Sequence, residues 1–185
     1  MSLVGPAHNP EPEWVLVALR THEAALLRYA ASLVGETRAQ DVVQDVFLRL
    51  CSQPARSVQD HLAAWLFTVC RNRASEIRRA DRRLSTLSTI EEKDEMLESP
   101  DSGPGAKLER AENLSRVGAA VAALPPKQRE VLRLKIEAGL SYKDIAEVMN
   151  LTVSNVGFIL HKAISHMREA LAEQEQTASA EGSTP

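Results

Sequence analysis

The chain has 185 residues, 44% of them hydrophobic but only 4% aromatic, and a formal net charge of −3. That size admits one ordinary domain or two small ones, and an Ala- and Leu-rich composition with few β-branched runs favours helices. Two cysteines, Cys51 and Cys70, without a CxxC or a His/Cys cluster, exclude a disulfide framework and are read as small core-filling residues. No apolar run reaches the length of a membrane span, and the first residues lack the basic and apolar regions of a signal peptide. A reduced, cytoplasmic protein is expected.

In chain order, residues 1–13 carry three prolines and no apolar period, and read as a disordered tail. From Trp14 to about Val34, Leu16, Leu19, Leu26, Leu27, Ala30 and Leu33 recur at helical spacing. After a break at Gly35, Thr37 is expected to cap a second helix whose apolar stripe is Val42, Val43, Val46, Phe47 and Leu50. Residues 51–60 read as a loop broken by Pro54. A third helix is expected from about Asp60 to Arg83, with Leu62, Trp65, Leu66, Val69 and Ile77 inward. Residues 84–106 form an acidic linker, with at most a helical turn at Ile90–Leu97.

Beyond the linker, helices are expected over Leu108–Leu124 and Lys127–Ala138, separated by Pro125-Pro126, the second stopping at Gly139. Ser141 and Asp144 have capping-box spacing for a helix to about Met149. Thr152 caps a last helix running to roughly Gln174, and residues 175–185 read as a disordered tail. Nothing alternates like a strand, so the expected fold is all-α, with two small helical domains and a helix-turn-helix in the second.

Three constellations carry chemistry. In residues 139–163 a helix, a tight turn and a second helix would pack Ile145, Ala146 and Met149 against Leu151, Val156, Ile159 and Leu160. This leaves Val153, Ser154, Asn155, Gly157, Phe158, His161 and Lys162 on the outer side. That layout presents a helix to the DNA major groove, where Asn155 suits adenine and Phe158 a thymine methyl. An ordinary helical hairpin has similar periodicity; the Gly139 stop, the cap and the small Ala146 favour DNA. Second, residues 71–83 hold six arginines (Arg71, Arg73, Arg78, Arg79, Arg82 and Arg83) against Glu76 and Asp81, with Asn72 among them. Such a helix fits phosphate contacts and fits a solvated helix end equally well. Trp65 and Phe67 head it; stacking on unpaired bases is one use of them, but the register of Trp65 with Leu62 and Val69 favours the core. Third, Asp41, Gln44, Asp45 and Leu48 share a face outside the apolar stripe, which by periodicity alone is a solvated face. Enzymatic signatures are absent: there is no P-loop, GxGxxG, GxSxG or HExxH, and no histidine spacing suited to a metal. No catalytic activity, cofactor or metal is expected.

Read together, these segments resemble the bacterial RNA polymerase sigma factors of the extracytoplasmic-function (ECF) family. RAQDVVQDVFLRL is similar to the family's core-binding segment, HLAAWLFTVCRNRASEIRRADRR to its promoter-melting segment, and residues 123–163 to the domain that binds the −35 element. The resemblance covers about residues 16–171 and rests on three motifs in order. It implies a region 2 domain over 14–83, a linker over 84–106 and a region 4 domain over 107–174. Asp41, Gln44, Asp45 and Leu48 then map to contacts with the β′ clamp helices of core RNA polymerase. Arg71, Asn72, Arg73, Arg78, Arg79 and Arg82 map to the −10 element, and the loop Ser52–Gln59 to the capture of an extruded −10 base. Thr152, Ser154, Asn155, Phe158, His161 and Lys162 map to the −35 recognition helix, with Arg129, Tyr142 and Lys143 as phosphate contacts.

The chain departs from the family pattern in the recognition helix, where Gly157 stands for a usual lysine and Ile159 for a usual arginine. Lower affinity and a shallower salt dependence at that element follow. Glu76 replaces a usual aspartate. The resemblance also implies promoter DNA and an anti-sigma factor as partners. Two other readings are a stand-alone helix-turn-helix regulator and a polymerase- or sigma-binding decoy; both leave one or more of the three motifs without a use.

Overall fold

The computed structural model describes residues 13–85 and 104–181, and side chains over residues 13–83 and 114–174. Every regular element among the described residues is helical: α1 (Glu13–Val34), α2 (Glu36–Cys51), α3 (Ala55–Val58), α4 (Leu62–Ser85), α5 (Pro104–Ala123), α6 (Pro126–Ile136), α7 (Tyr142–Met149) and α8 (Val153–Glu181). A single 3₁₀ turn, Gln59–His61, joins α3 to α4.

The first unit is α1 to α4. Ala39, Val42, Val43, Val46, Phe47 and Leu50 recur three or four residues apart along α2, and all are buried. They meet Leu26, Tyr29 and Ala30 of α1 and Ala64, Leu66, Phe67 and Cys70 of α4. The rings of Tyr29 and Phe67 lie 5.4 Å apart at 56°, a tilted pairing that suits two aromatic quadrupoles. Burying side chains as large as Phe67, Leu26, Leu50 and Leu66 contributes roughly 1.5–3 kcal/mol each. The turn between α1 and α2 takes one residue. Gly35 has φ +80°, a conformation that costs a side-chain-bearing residue, and its N–H closes on the Ala31 carbonyl at 2.9 Å.

The second unit is α5 to α8. Pro125 is extended and Pro126 opens α6, where a missing N–H leaves no hydrogen bond unmade. Gly139 has φ +67°, and the Leu140 N–H returns to the Leu134 carbonyl at 3.1 Å, ending that segment as the glycine stop predicts. Val131, Leu132 and Leu134 of α6 pack with Ile145, Val148 and Met149 of α7 and with Val156, Leu160 and Ala163 of α8.

The fold class is as expected, and several details differ. Helix α2 starts at Glu36 with Gly35 at its N-cap, so Thr37 is not the cap; the left-handed glycine already turns the chain. The expected loop after Cys51 contains α3 and the 3₁₀ turn, with Val58 buried; Pro54 breaks α2 but starts the next turn. Leu16 faces outward while Val15 and Ala18 are buried. Trp65 is only half-buried, packed on the core's edge. Cys70 fills the core, but Cys51, the last residue of α2, is exposed. Helix α5 begins at Pro104, inside the expected linker, and α8 continues through Glu181, inside the expected tail. The predicted turn at Ile90–Leu97, residues 1–12 and residues 182–185 lie outside the described residues.

One feature has no forerunner in the sequence pattern. The two units touch: α4 packs against α7, and the buried apolar cluster runs without a gap from α1 to α8.

Candidate nucleic-acid interface and partner face

The helix-turn-helix is built from the predicted capping chemistry. The Asp144 N–H donates to Ser141 Oγ at 3.2 Å, while the Ser141 N–H and hydroxyl donate to Asp144 Oδ2 at 3.1 and 2.6 Å. This box satisfies amides that the first turn of α7 would otherwise leave open. Asn150 then adopts the left-handed conformation (φ 53°, ψ 55°), and the Leu151 N–H closes on the Ala146 carbonyl at 2.8 Å. At the entry of α8, Thr152 Oγ1 accepts from the Asn155 N–H at 3.2 Å, so Thr152 is the cap that the sequence indicates.

The expected packing of α7 on α8 is present: Ile145, Ala146, Met149, Val156, Ile159 and Leu160 are buried and Leu151 half-buried. With 100° between successive residues, the middle of the opposite face falls at Ser154, Phe158 and His161, flanked by Gly157 on one side and Asn155 and Lys162 on the other. All but the half-buried Gly157 are exposed, Phe158 at 61%. Lys162 Nζ sits 5.9 Å from the Phe158 ring centroid, and Lys135 Nζ 5.5 Å from that of Tyr142. Gly157 lies beside the Tyr142 ring; a Cβ there would meet its edge at 3.7 Å, an ordinary contact. The face therefore shows two lysine-capped rings, hydroxyls, an amide and an imidazole, with little fixed charge.

Lys143 is exposed beside this face. Arg129 is turned inward instead: its guanidinium donates to the Ala122 and Leu124 carbonyls, the latter at 3.1 Å, closing the end of α5. His166 meets Gln128 at 2.9 Å, tying α8 to α6.

On α4 the arginines divide. Asn72, Arg78, Arg79 and Arg82 are exposed. Arg73 pairs with Asp45 at 2.9 Å and with Glu76 at 3.2 Å. Asp81 pairs with Arg38 of α2. Arg71 donates through Nε to Glu130 Oε1 of α6 at 2.8 Å, and the same oxygen accepts the Tyr29 hydroxyl at 2.8 Å. Burial pushes the Tyr29 phenol well above its ordinary range, and the adjacent Glu130 charge and hydrogen bond push it further. For Arg71, burial opposes the charged form, but the hydrogen bond and charge of Glu130 outweigh it and the net shift is upward. No sequence signal marked Tyr29 or Glu130; each looks like an ordinary helix residue.

Of the α2 set, Asp41 and Gln44 are exposed, Leu48 is 60% exposed, and Asp45 is half-buried between Arg73 and Arg49, the latter at 3.5 Å. Among the described residues, no three His, Cys, Asp or Glu side chains gather as a metal site would require, and no helix is long and apolar enough to cross a membrane.

The comparisons agree with the order of these parts. Residues 18–83 match the family model for sigma-70 region 2, and residues 114–167 the model for sigma-70 region 4. The chain is 31% identical over 180 residues to the ECF RNA polymerase sigma factor SigL of Mycobacterium tuberculosis, covering 94% of this chain and 97% of that one. It is 29% identical over 158 residues to ShbA of Streptomyces griseus, another ECF RNA polymerase sigma factor, covering 80% and 82%. Among solved structures, the sigma factor RpoE in complex with the anti-sigma factor NepR from Bartonella quintana superposes with a TM-score of 0.61 at 25% identity, over 86% of this chain and 95% of that one.

Proposed function

The chain belongs to the ECF family of RNA polymerase sigma factors, and we propose that it recruits core RNA polymerase to promoters with its own −35 and −10 elements. The observation that carries this reading is the pairing of a region 2 unit with an open arginine helix and a region 4 unit whose recognition helix exposes Ser154, Asn155, Phe158, His161 and Lys162. In this reading residues 14–83 act as the region 2 domain, 107–174 as the region 4 domain, and 84–106 as the linker between them.

Each face then has a task. Asp41, Gln44, Asp45 and Leu48 dock on the β′ clamp helices, where the exposed Leu48 supplies apolar area and the acids meet basic residues. Asn72, Arg78, Arg79 and Arg82, with Arg71 and Arg73, hold the −10 strand, and Ser52–Gln59 accepts an extruded base. On the region 4 side, Asn155 reads base edges and Phe158 packs on a thymine methyl, with Lys143 and Lys162 on phosphates. Arg129 contributes by holding the end of α5, not through phosphate. The protein contributes binding energy and selectivity, while polymerase performs the chemistry, which places it in the cytoplasm. An anti-sigma factor is the expected regulator, as RpoE has in NepR.

The test is transcription in vitro from a genomic fragment library, with core polymerase and with or without this chain. Discrete new start sites that share upstream elements are the expected result. Promoter binding without core would instead identify a stand-alone regulator, and core binding without new starts a decoy.

A further inference from the structure

The centre of the outward face of α8 is apolar. Phe158 is 61% exposed there, and Lys162 Nζ stands 5.9 Å from its ring centroid. Its neighbours in sequence add nothing polar: Gly157 has no side chain, and Ile159, 9% exposed, is turned into the core. From Val153 to Lys162 there is no Asp or Glu to accept from a cytosine amino group, and no Arg to fork onto guanine. Ser154, Asn155 and His161 lie about one turn, roughly 5 Å, along the axis from Phe158, within reach of flanking base pairs. Lys162 is also one turn away, but its ammonium is brought back beside the ring. The pair that meets Phe158 is thus selected by an apolar contact and one ammonium.

Among the four standard bases only thymine puts a methyl group in the major groove. 5-Methylcytosine carries the same group on the same ring carbon, so a phenyl ring touching that methyl meets one apolar surface in both. The two bases differ in their polar edge, O4 on thymine and an amino group on cytosine, and no carboxylate stands beside Phe158 to tell them apart. They differ also in the partner purine, which Lys162 accepts in either form. An ammonium has only donors, and N7 of adenine and N7 of guanine are both acceptors, with guanine O6 as a second one.

We propose that Phe158 and Lys162 form a reader of the pyrimidine C5-methyl group, so that a 5-methylcytosine·guanine pair substitutes for thymine·adenine at one position of the −35 element. Cytosine methylation at that position turns a poorly bound C·G pair into a well-bound one, and a promoter with C·G there answers to the methylation state of the DNA. This rests on the reading of α8 as the −35 recognition helix.

The experiment uses holoenzyme, core polymerase with the full chain, on a promoter found by transcription in vitro. Fluorescence anisotropy compares duplexes that differ at one pair of the −35 element, each thymine position in turn being T·A, U·A, C·G or 5-methylcytosine·G. At one position T·A and 5-methylcytosine·G are expected to bind within about twofold of each other, and U·A and C·G each about fourfold more weakly, the worth of one methyl-sized group withdrawn from water. Phe158→Ala should level the 5-methylcytosine and cytosine duplexes. Lys162→Gln should separate the two methylated pairs by about fivefold in favour of T·A, because an amide pairs bidentately with adenine N6 and N7. The wild-type duplex series stands without any variant, and circular dichroism checks that both variants stay helical. The absence of any position at which 5-methylcytosine outbinds cytosine, or a gain that survives Phe158→Ala, would overturn the proposal; equal binding of the methylated pairs by Lys162→Gln would overturn the part given to Lys162. Failure of the sigma reading shows separately and earlier, as no core-dependent start site from the wild-type chain, and overturns both.

Discussion

Lys162 holds its ammonium 5.9 Å from the centre of the Phe158 ring, one helical turn before it, at the middle of the outward face of α8. The ring is 61% exposed, and the pairing orients it without burying it. An aromatic ring held ready at the centre of a recognition helix is suited to apolar contact in the major groove, where thymine alone offers a methyl group. Phe158→Ala should therefore weaken promoter binding by about 1–3 kcal/mol with little effect on folding. Replacing thymine by uracil in the −35 element should weaken the wild type and leave Phe158→Ala unchanged. Equal sensitivity of the two proteins to uracil, in anisotropy titrations with holoenzyme, would rule out the methyl contact.

A second prediction concerns Gly157, where a lysine is usual. A Cβ at this position would stand 3.7 Å from the Tyr142 ring edge, so a side chain is accommodated. Gly157→Lys should leave the fold intact and stabilise α8 by about 1 kcal/mol through helix propensity. The added charge should steepen the dependence of log affinity on log salt by about one ion. Thermal melting and a salt series of holoenzyme–promoter titrations measure the two effects. An unchanged salt slope would mean that this edge of α8 does not face the backbone.

Much of this region was legible in the sequence, because local chemistry dictates it. Gly139 was required for a left-handed stop, Ser141 and Asp144 for a reciprocal cap, and Thr152 for the next cap; each bond forms within a few residues. Prediction failed where one local signal competed with another. Thr37 is a good cap, but Gly35 had already turned the chain. Pro54 is a good breaker, yet it also starts a helical turn well. The docking of the two units was not legible at all. Its partners, Tyr29, Arg71 and Glu130, are 42 to 101 positions apart pairwise, and no periodicity encodes a contact between independent units.

A third prediction separates two roles on α2. Leu48 is 60% exposed and does not belong to the buried cluster, so Leu48→Asp should abolish most core polymerase binding while leaving the melting temperature nearly unchanged. Asp45 is different, because it holds Arg73 at 2.9 Å and Arg49 at 3.5 Å. Asp45→Ala should reduce core affinity and also cost up to about 1 kcal/mol of stability, the usual scale for partly exposed pairs. It also leaves Arg73 held by Glu76 alone. Binding to immobilised core, measured beside melting curves, tests both. Loss of stability in Leu48→Asp equal to its loss of binding would make Leu48 a packing residue.

The cysteines supply the last prediction. Burial pushes the Cys70 thiol up to about 12, against 9.0 for the ordinary group, and its side chain has no solvent exposure. Since the thiolate is the nucleophile, Cys70 stays protonated and inert at neutral and mildly alkaline pH. Cys51 is exposed at the end of α2. Iodoacetamide at pH 8 should therefore add one group to the native chain, at Cys51, and two after denaturation, as read by mass spectrometry. The linkage follows in sign. The folded state holds the Cys70 proton more tightly than the unfolded state, so its contribution to stability is complete below pH 9 and is lost as pH rises toward about 12. Cys70→Ala should flatten that alkaline decline while lowering stability at neutral pH, because it leaves a small cavity beside Phe67 and Leu66. Rapid native alkylation of Cys70 would show that the core of the region 2 unit opens on the timescale of the reagent.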